Sequence, residues 1–203
     1  WDGTTGGVLA FRASGTVNVQ SGGAIDMSGR GFRGGPWNGS RCDGCFGYQG
    51  EGYPGTGSQS TGANGNGGGA AHQGGGESNS AGGGYGSAGM LGIGGSNAYP
   101  QLAQGGAVVG DPAITTLFMG GGGGGGTDTA EAYLNPNGGS GGGAILIRAQ
   151  TLIVAGSIRT DGSNGANGSS TGGSHGGSGG AGGAIYLNTY TLDVGNNRVT
   201  ARG

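Results

Sequence analysis

Glycine fills 62 of the 203 positions, charged residues make up 9% and the formal net charge is −2, where ordinary globular chains carry about 7% glycine and about 25% charge. Five prolines and no Gly-X-Y period exclude collagen, so little charge excludes a self-repelling disordered tail, and eight arginines against ten acids leave no basic patch for nucleic acid or anionic lipid. No apolar run approaches the roughly 20 residues that would insert in a membrane, and glycine, with nothing to bury and about 1 kcal/mol worse than alanine in a helix, predicts a single domain over residues 1–203, with no α-helix, held by backbone hydrogen bonds.

The first element is a strand block at residues 6–29, GGVLAFRASGTVNVQSGGAIDMSG. Its apolar residues alternate, the period of a half-buried strand, so Leu9 and Phe11 share one face, and Val17 and Val19 do the same one strand later. A long glycine-rich excursion, residues 30–141, follows. Residues 32–53 hold Phe32, Trp37, Phe46, Tyr48 and Tyr53, with Arg30, Arg33 and Arg41 beside or among them. Aromatics with arginines make carbohydrate faces and protein interfaces, and they also make a small local core that closes a loop; both readings stay open. Cys42 and Cys45 form the one CxxC. A zinc site needs two more ligands, and His72 and His175 stand isolated in glycine tracts. The expectation is a short-range disulfide in an oxidising compartment, with a free or intermolecular thiol as the alternative. Asn38 begins one of two Asn-Gly-Ser glycosylation patterns.

From residue 62 to residue 95 glycine recurs at every third position, at 62, 65, 68, 74, 83, 86, 89, 92 and 95. Three residues per turn is the repeat of the polyproline II conformation, which has no internal hydrogen bonds. A bare glycine edge lets neighbouring chains approach until N–H meets C=O between them. Residues 120–126 are all glycine, so a helix there is predicted to be surrounded by neighbours. The run lacks the lysine of a phosphate loop, since the chain contains none. Residues 96–119 and 127–137 carry no clear three-residue pattern.

The second strand block, residues 142–162, reads GGAILIRAQTLIVAGSIRTDG, and the third, residues 182–203, reads GGAIYLNTYTLDVGNNRVTARG. Ala144, Ile145, Ile147, Thr151, Leu152 and Val154 match Ala184, Ile185, Leu187, Thr191, Leu192 and Val194 forty residues on. Ile145 and Ile147 are predicted to share one face, with Leu146 and Arg148 opposite. Several short strands per repeat predict solenoid-like rungs or a small sheet, neither of which buries its apolar face alone. The intervening excursion, residues 162–183, repeats glycine every third position in two registers. Asp161, Asn164 and Asn167 line one edge there, but one carboxylate is a poor site for calcium. Asn167 begins the second Asn-Gly-Ser.

The GxxGxxG runs resemble those of polyglycine-II bundles, found in glycine-rich antifreeze proteins and phage tail-fibre adhesin tips. The block GGAILIRAQTLIVAGSIRTDG, followed by glycines and another GGAIYL, is similar to repeats of glycine-rich bacterial and phage surface proteins. The resemblance implies an extracellular fibre or adhesin and carries over no catalytic residue. The fold expected is thus all-β and irregular: a polyglycine-II bundle joined to short strands. No nucleophile, histidine and carboxylate occur together at suggestive spacing, so neither enzyme activity nor a cofactor or metal is expected. The function expected is self-assembly, head to tail, into a secreted filament or matrix, with Leu9 and Phe11 of one copy docking against Ile185 and Leu187 of another. The alternative is an adhesin tip that binds glycan or a surface receptor through the aromatic loops. Ice binding is disfavoured by the insertions and aromatics.

Overall fold

The computed structural model describes residues 1–37, 45–72, 79–93, 102–111, 113–127, 135–168 and 175–203. Its strands are β1 (Val8–Arg12), β2 (Thr16–Val19), β3 (Ala24–Asp26), β4 (Ala144–Val154), β5 (Ser157–Arg159), β6 (Ala184–Val194) and β7 (Val199–Thr200). No helix occurs among the described residues. Every strand pairing is parallel, and neither sheet closes into a barrel. In the larger sheet β4 is central, with β1 and β2 end to end along one edge and β6 along the other. In the smaller, β5 lies between β3 and β7.

The registers join like to like. Val8 stands beside Ala144 and Ala144 beside Ala184; Phe11, Ile147 and Leu187 form one row, and Ile25, Ile158 and Val199 another. The three sequence blocks are therefore three tiers, stacked in register and in chain order. One tier presents a single apolar layer, which only stacking removes from water. Ile145, Ile147, Leu152 and Ile158 of the middle tier are wholly buried, each worth about 1.5–3 kcal/mol of transfer energy. Their counterparts Leu9, Phe11, Val17, Ile25, Ile185, Leu187 and Val199 are only partly covered. As the alternation predicts, Leu146 is half-buried and Arg148 exposed while the two isoleucines beside them face the core.

Away from the tiers the chain is held by bonds between backbones, and residues 120–127 are the hub. The N–H groups of Gly120, Gly123 and Gly126 donate to the carbonyls of Gly142, Gly139 and Pro136. Those of Gly121 and Gly124 donate to Gly84 and Ala81, and those of Gly122 and Gly125 to Glu51 and Tyr48. Each set of partners falls by three as the run rises by three, so all three neighbours are antiparallel. The hub's carbonyls repeat the cycle. Gly120 and Gly123 accept from Phe32 and Gly35, Gly122 and Gly125 from Gly68 and Ala71, and Gly121 and Gly124 from Ala181 and Ser178. Six segments thus surround one, through bonds of 2.7–3.2 Å. A side chain anywhere in the run would strike a neighbour: a Cβ on Gly122 meets the Arg33 carbonyl, and one on Gly123 the Ser178 carbonyl.

The glycine register from residue 62 to residue 95 passes through several separate legs. Asn64 and Gly67 exchange backbone bonds at a bend where Gly65 has φ +58°. A second turn follows Gly84, where the Tyr85 N–H donates to Ser87, and residues 87–93 run back along 79–84 through Gly82 to Met90 and Asn79 to Ile93. Gly68, Gly83, Gly89 and Gly92 all sit where a Cβ would run into a neighbouring backbone. Gly74 and Gly95 lie outside the described residues. Residues 102–107, in a stretch without a clear pattern, also join: Gln104 donates to Thr61 and Gly106 to Gly82.

Candidate assembly surfaces

In a parallel strand the N–H and C=O of one residue point to the same side, and successive residues alternate. The Ala13 N–H donates to Arg148, and the Gly7 carbonyl accepts from Ala144. Odd-numbered residues of β1 therefore face β4, while Val8, Ala10 and Arg12 face away. On the opposite end of the stack Ala184 donates to Gly143, so Ile185 and Leu187 of β6 face away from β4. Among the described residues no further strand pairs with β1 or β6 on these sides, so the stack ends in two open backbone edges. Neighbouring tiers exchange bonds in both directions (Ala144 donates to Gly7 and Ala13 to Arg148, Ala184 to Gly143 and Ile158 to Arg198), so each free edge carries both N–H and C=O groups. The side chains at these ends are exposed: Val8 by 56%, Leu192 by 53% and Tyr190 by 96%. The four residues expected to dock, Leu9, Phe11, Ile185 and Leu187, are partly buried against the middle tier.

A charged cluster fixes tier one to the glycine region. The Glu51 carboxylate is buried and accepts from the Trp1 indole N–H at 3.0 Å and from the Arg33 backbone N–H and Nε, both at 3.0 Å. The Trp1 ammonium donates to the Arg30 carbonyl at 2.8 Å, and Arg33 Nη1 to that of Asp2 at 3.1 Å. Burial pushes the Glu51 carboxyl upward, but the hydrogen bonds from Arg33 and Trp1 outweigh it and hold the group below the usual carboxylate range. The Glu51 hydrogen bond is the main reason that the Arg33 guanidinium is raised. Sequence reasoning missed Glu51, because nothing in the chain marks a partner 18 residues from Arg33 and 50 from Trp1. Its only signal was being a lone carboxylate in a glycine tract. Asp26 is held low by the side chain and backbone N–H of Ser28.

The five aromatics of residues 32–53 are not gathered on one face. Phe32 is buried edge-on against Trp1, with ring centres 6.4 Å apart. Phe46 lies over His72 at 4.1 Å, and Tyr53 near Phe118 at 6.5 Å. Trp37 and Tyr48 are half-buried, and the Trp37 N–H donates to the Asn137 side chain at 2.9 Å. Phe32 is buried and Tyr53 is exposed. Cys45 is buried and disulfide-bonded; Cys42, Arg41 and Asn38 lie outside the described residues. Asn167 is exposed. Asp161, considered for calcium, spends its carboxylate on the Thr200 hydroxyl at 3.0 Å and the Arg202 N–H at 2.8 Å, tying tier three to tier two. Among the described residues no three His, Cys, Asp or Glu side chains stand close enough to hold a metal, and no helix is long and apolar enough to cross a membrane. No family model, curated protein or solved structure matches the chain.

Proposed function

We propose that the chain is a secreted, non-enzymatic structural protein that polymerises head to tail, tier three of one copy receiving tier one of the next. The carrying observation is the in-register stack of three like tiers ending in two complementary open edges. An open edge templates pairing with another chain, and a contact between two different surfaces does not close on itself, so it propagates as a fibre. In this reading the tiers are rungs of a short β-solenoid, continued by the next molecule. The glycine region is a polyglycine-II bundle. Its support is the three-residue cycle of bonds around residues 120–127, which is the repeat of a chain with three residues per turn. Secretion rests on composition and on the Cys45 disulfide, a bond that persists in oxidising compartments. The dispersal of the aromatics over separate contacts places assembly ahead of glycan or receptor binding. Electron microscopy and sedimentation of the purified chain over rising concentration test the reading. Filaments of uniform width are expected; a single monomeric species throughout would overturn it.

A further inference from the structure

Residues 175–183 form one of the hub's six neighbours and have three rows of N–H groups. Gly177, Gly180 and Gly183 donate to Ala166, Ser163 and Thr160, and Ser178 and Ala181 to Gly124 and Gly121. The N–H groups of the third row, Gly176, Gly179 and Gly182, donate to no backbone carbonyl among the described residues. Gly182 lies beneath Gly203, and Gly179 opens into a groove of about 770 Å³ that runs between this leg and residues 87–93, over Gly82 and Gly83. The groove continues past Tyr85, Gly86, Gly183 and Ala201 into a second hollow over tier three, lined by Ala184, Ile185 and Val199.

Two glycines on this groove have room for a side chain among the described residues. A Cβ on Gly179 would find its nearest atom at 3.6 Å, one on Gly86 would find nothing within 4 Å, and neither residue has a left-handed φ. By contrast, Gly83, Gly89 and Gly180 would drive a Cβ into a neighbouring backbone. The far wall adds a second observation. Met90, Leu91 and Ile93 are 82%, 58% and 70% exposed, three large apolar side chains in four residues. Gly89 and Gly92 bond inward to Gly106 and Ala103, while the carbonyls of Ala88 and Leu91, three residues apart, accept no backbone bond among the described residues.

We infer that this groove is a second self-association surface, a vacancy in the hydrogen-bonded bundle that takes residues 87–93 of another copy. The Gly179 N–H lines the groove, and the Gly176 N–H lies three residues earlier in the same row; that spacing matches the carbonyls of the second copy's Ala88 and Leu91, and glycine at 179 and 86 leaves its backbone room to approach. Met90, Leu91 and Ile93 of the two copies then cover one another. Because residues 87–93 are themselves one wall of the groove, the same patch of each copy meets the other's, so the contact is isologous and pairs molecules side by side. It is separate from the end-to-end edge and does not rest on it.

The test uses the full chain carrying Ala10→Pro, which places a proline on the free edge of tier one and stops end-to-end growth. Sedimentation equilibrium of this chain is expected to show a monomer–dimer equilibrium. Adding Gly179→Val, whose Cβ the monomer accommodates, is expected to weaken dimerisation at least tenfold with an unchanged circular dichroism spectrum. A strictly monomeric Ala10→Pro chain, or equal dimerisation with and without Gly179→Val, would overturn the inference. Should the doubly substituted chain misfold, amide exchange on the unsubstituted protein decides. Protection of Gly176 and Gly179 that rises with concentration supports the groove, and exchange independent of concentration refutes it. Failure of the wild type to form filaments would count against the end-to-end edge alone.

Discussion

At the residue scale the chain separates glycines by what surrounds them. Gly89 lies where a Cβ would meet the Gly82 carbonyl, while Ser87 is exposed at the turn two residues before it. Gly89→Val is expected to cost about 3 kcal/mol, at the upper end for overpacking, and Ser87→Val less than about 0.5 kcal/mol. Thermal melts of the two variants check this, and equal losses would refute the register. Glu51 sets an acid limit. Its folded pKa lies below its unfolded value, because the hydrogen bonds from Arg33 and Trp1 outweigh burial. Its contribution is therefore complete above the unfolded value, about 4.3, and is lost as pH falls through the lower folded value. Glu51→Gln is expected to lower stability at pH 7 by about 1–3 kcal/mol, the worth of hydrogen bonds to a charged group. It should also flatten the acid side of the stability profile relative to wild type. Denaturant midpoints at pH 7 and pH 3 provide the comparison; a difference between variant and wild type that does not shrink at pH 3 would contradict it.

At the scale of the element, alternation alone announced the faces of Ile145, Ile147, Leu146 and Arg148, since a strand has only two sides. The match between blocks announced three like units, but not which lay between the others; that followed from β4 being paired on both edges. Residues 120–126 were legible as a surrounded run, because seven glycines leave no side chain on any edge. The legs within residues 62–95 were not legible. A three-residue glycine period runs unbroken through the bend at Gly65 and the turn at Tyr85, since a glycine suits a turn as well as a packed edge. The tiers predict graded mutational costs. Ile147→Ala, in the wholly buried middle row, is expected to cost about 2–5 kcal/mol. Leu187→Ala, its half-covered counterpart in tier three, is expected to cost about half as much in the monomer. In the assembled protein a further tier would cover Leu187, and the two losses should converge. Melts below and above the assembly concentration report this, and a gap that stays constant would argue against stacking on tier three.

At the scale of the molecule, the question is whether the ends of the stack are ends. Removing residues 1–28 is a poor test, because it strips tier one and leaves β4 with an open edge of the same kind, able to take its place. Ala10→Pro is sharper. Ala10 is exposed and faces away from β4, so proline there removes an N–H that has no partner within the chain, and proline is tolerated on the solvent side of an edge strand. The monomer should lose no more than about 1 kcal/mol, the scale on which measured strand propensities differ. Leu9→Pro, one residue earlier, removes an N–H directed at β4 and is expected to unfold tier one, at about 3 kcal/mol or more, the scale of a proline that removes a backbone hydrogen bond. In a polymer the Ala10 N–H is a donor to the tier-three edge of the preceding copy, so Ala10→Pro deletes one bond and sets a ring against that edge at every junction. Filaments should disappear from micrographs, or the concentration needed to form them should rise more than tenfold, while Ala10→Ser polymerises as the wild type does. Filaments of unchanged abundance and width from the Ala10→Pro chain would mean that tier one is not the growing surface.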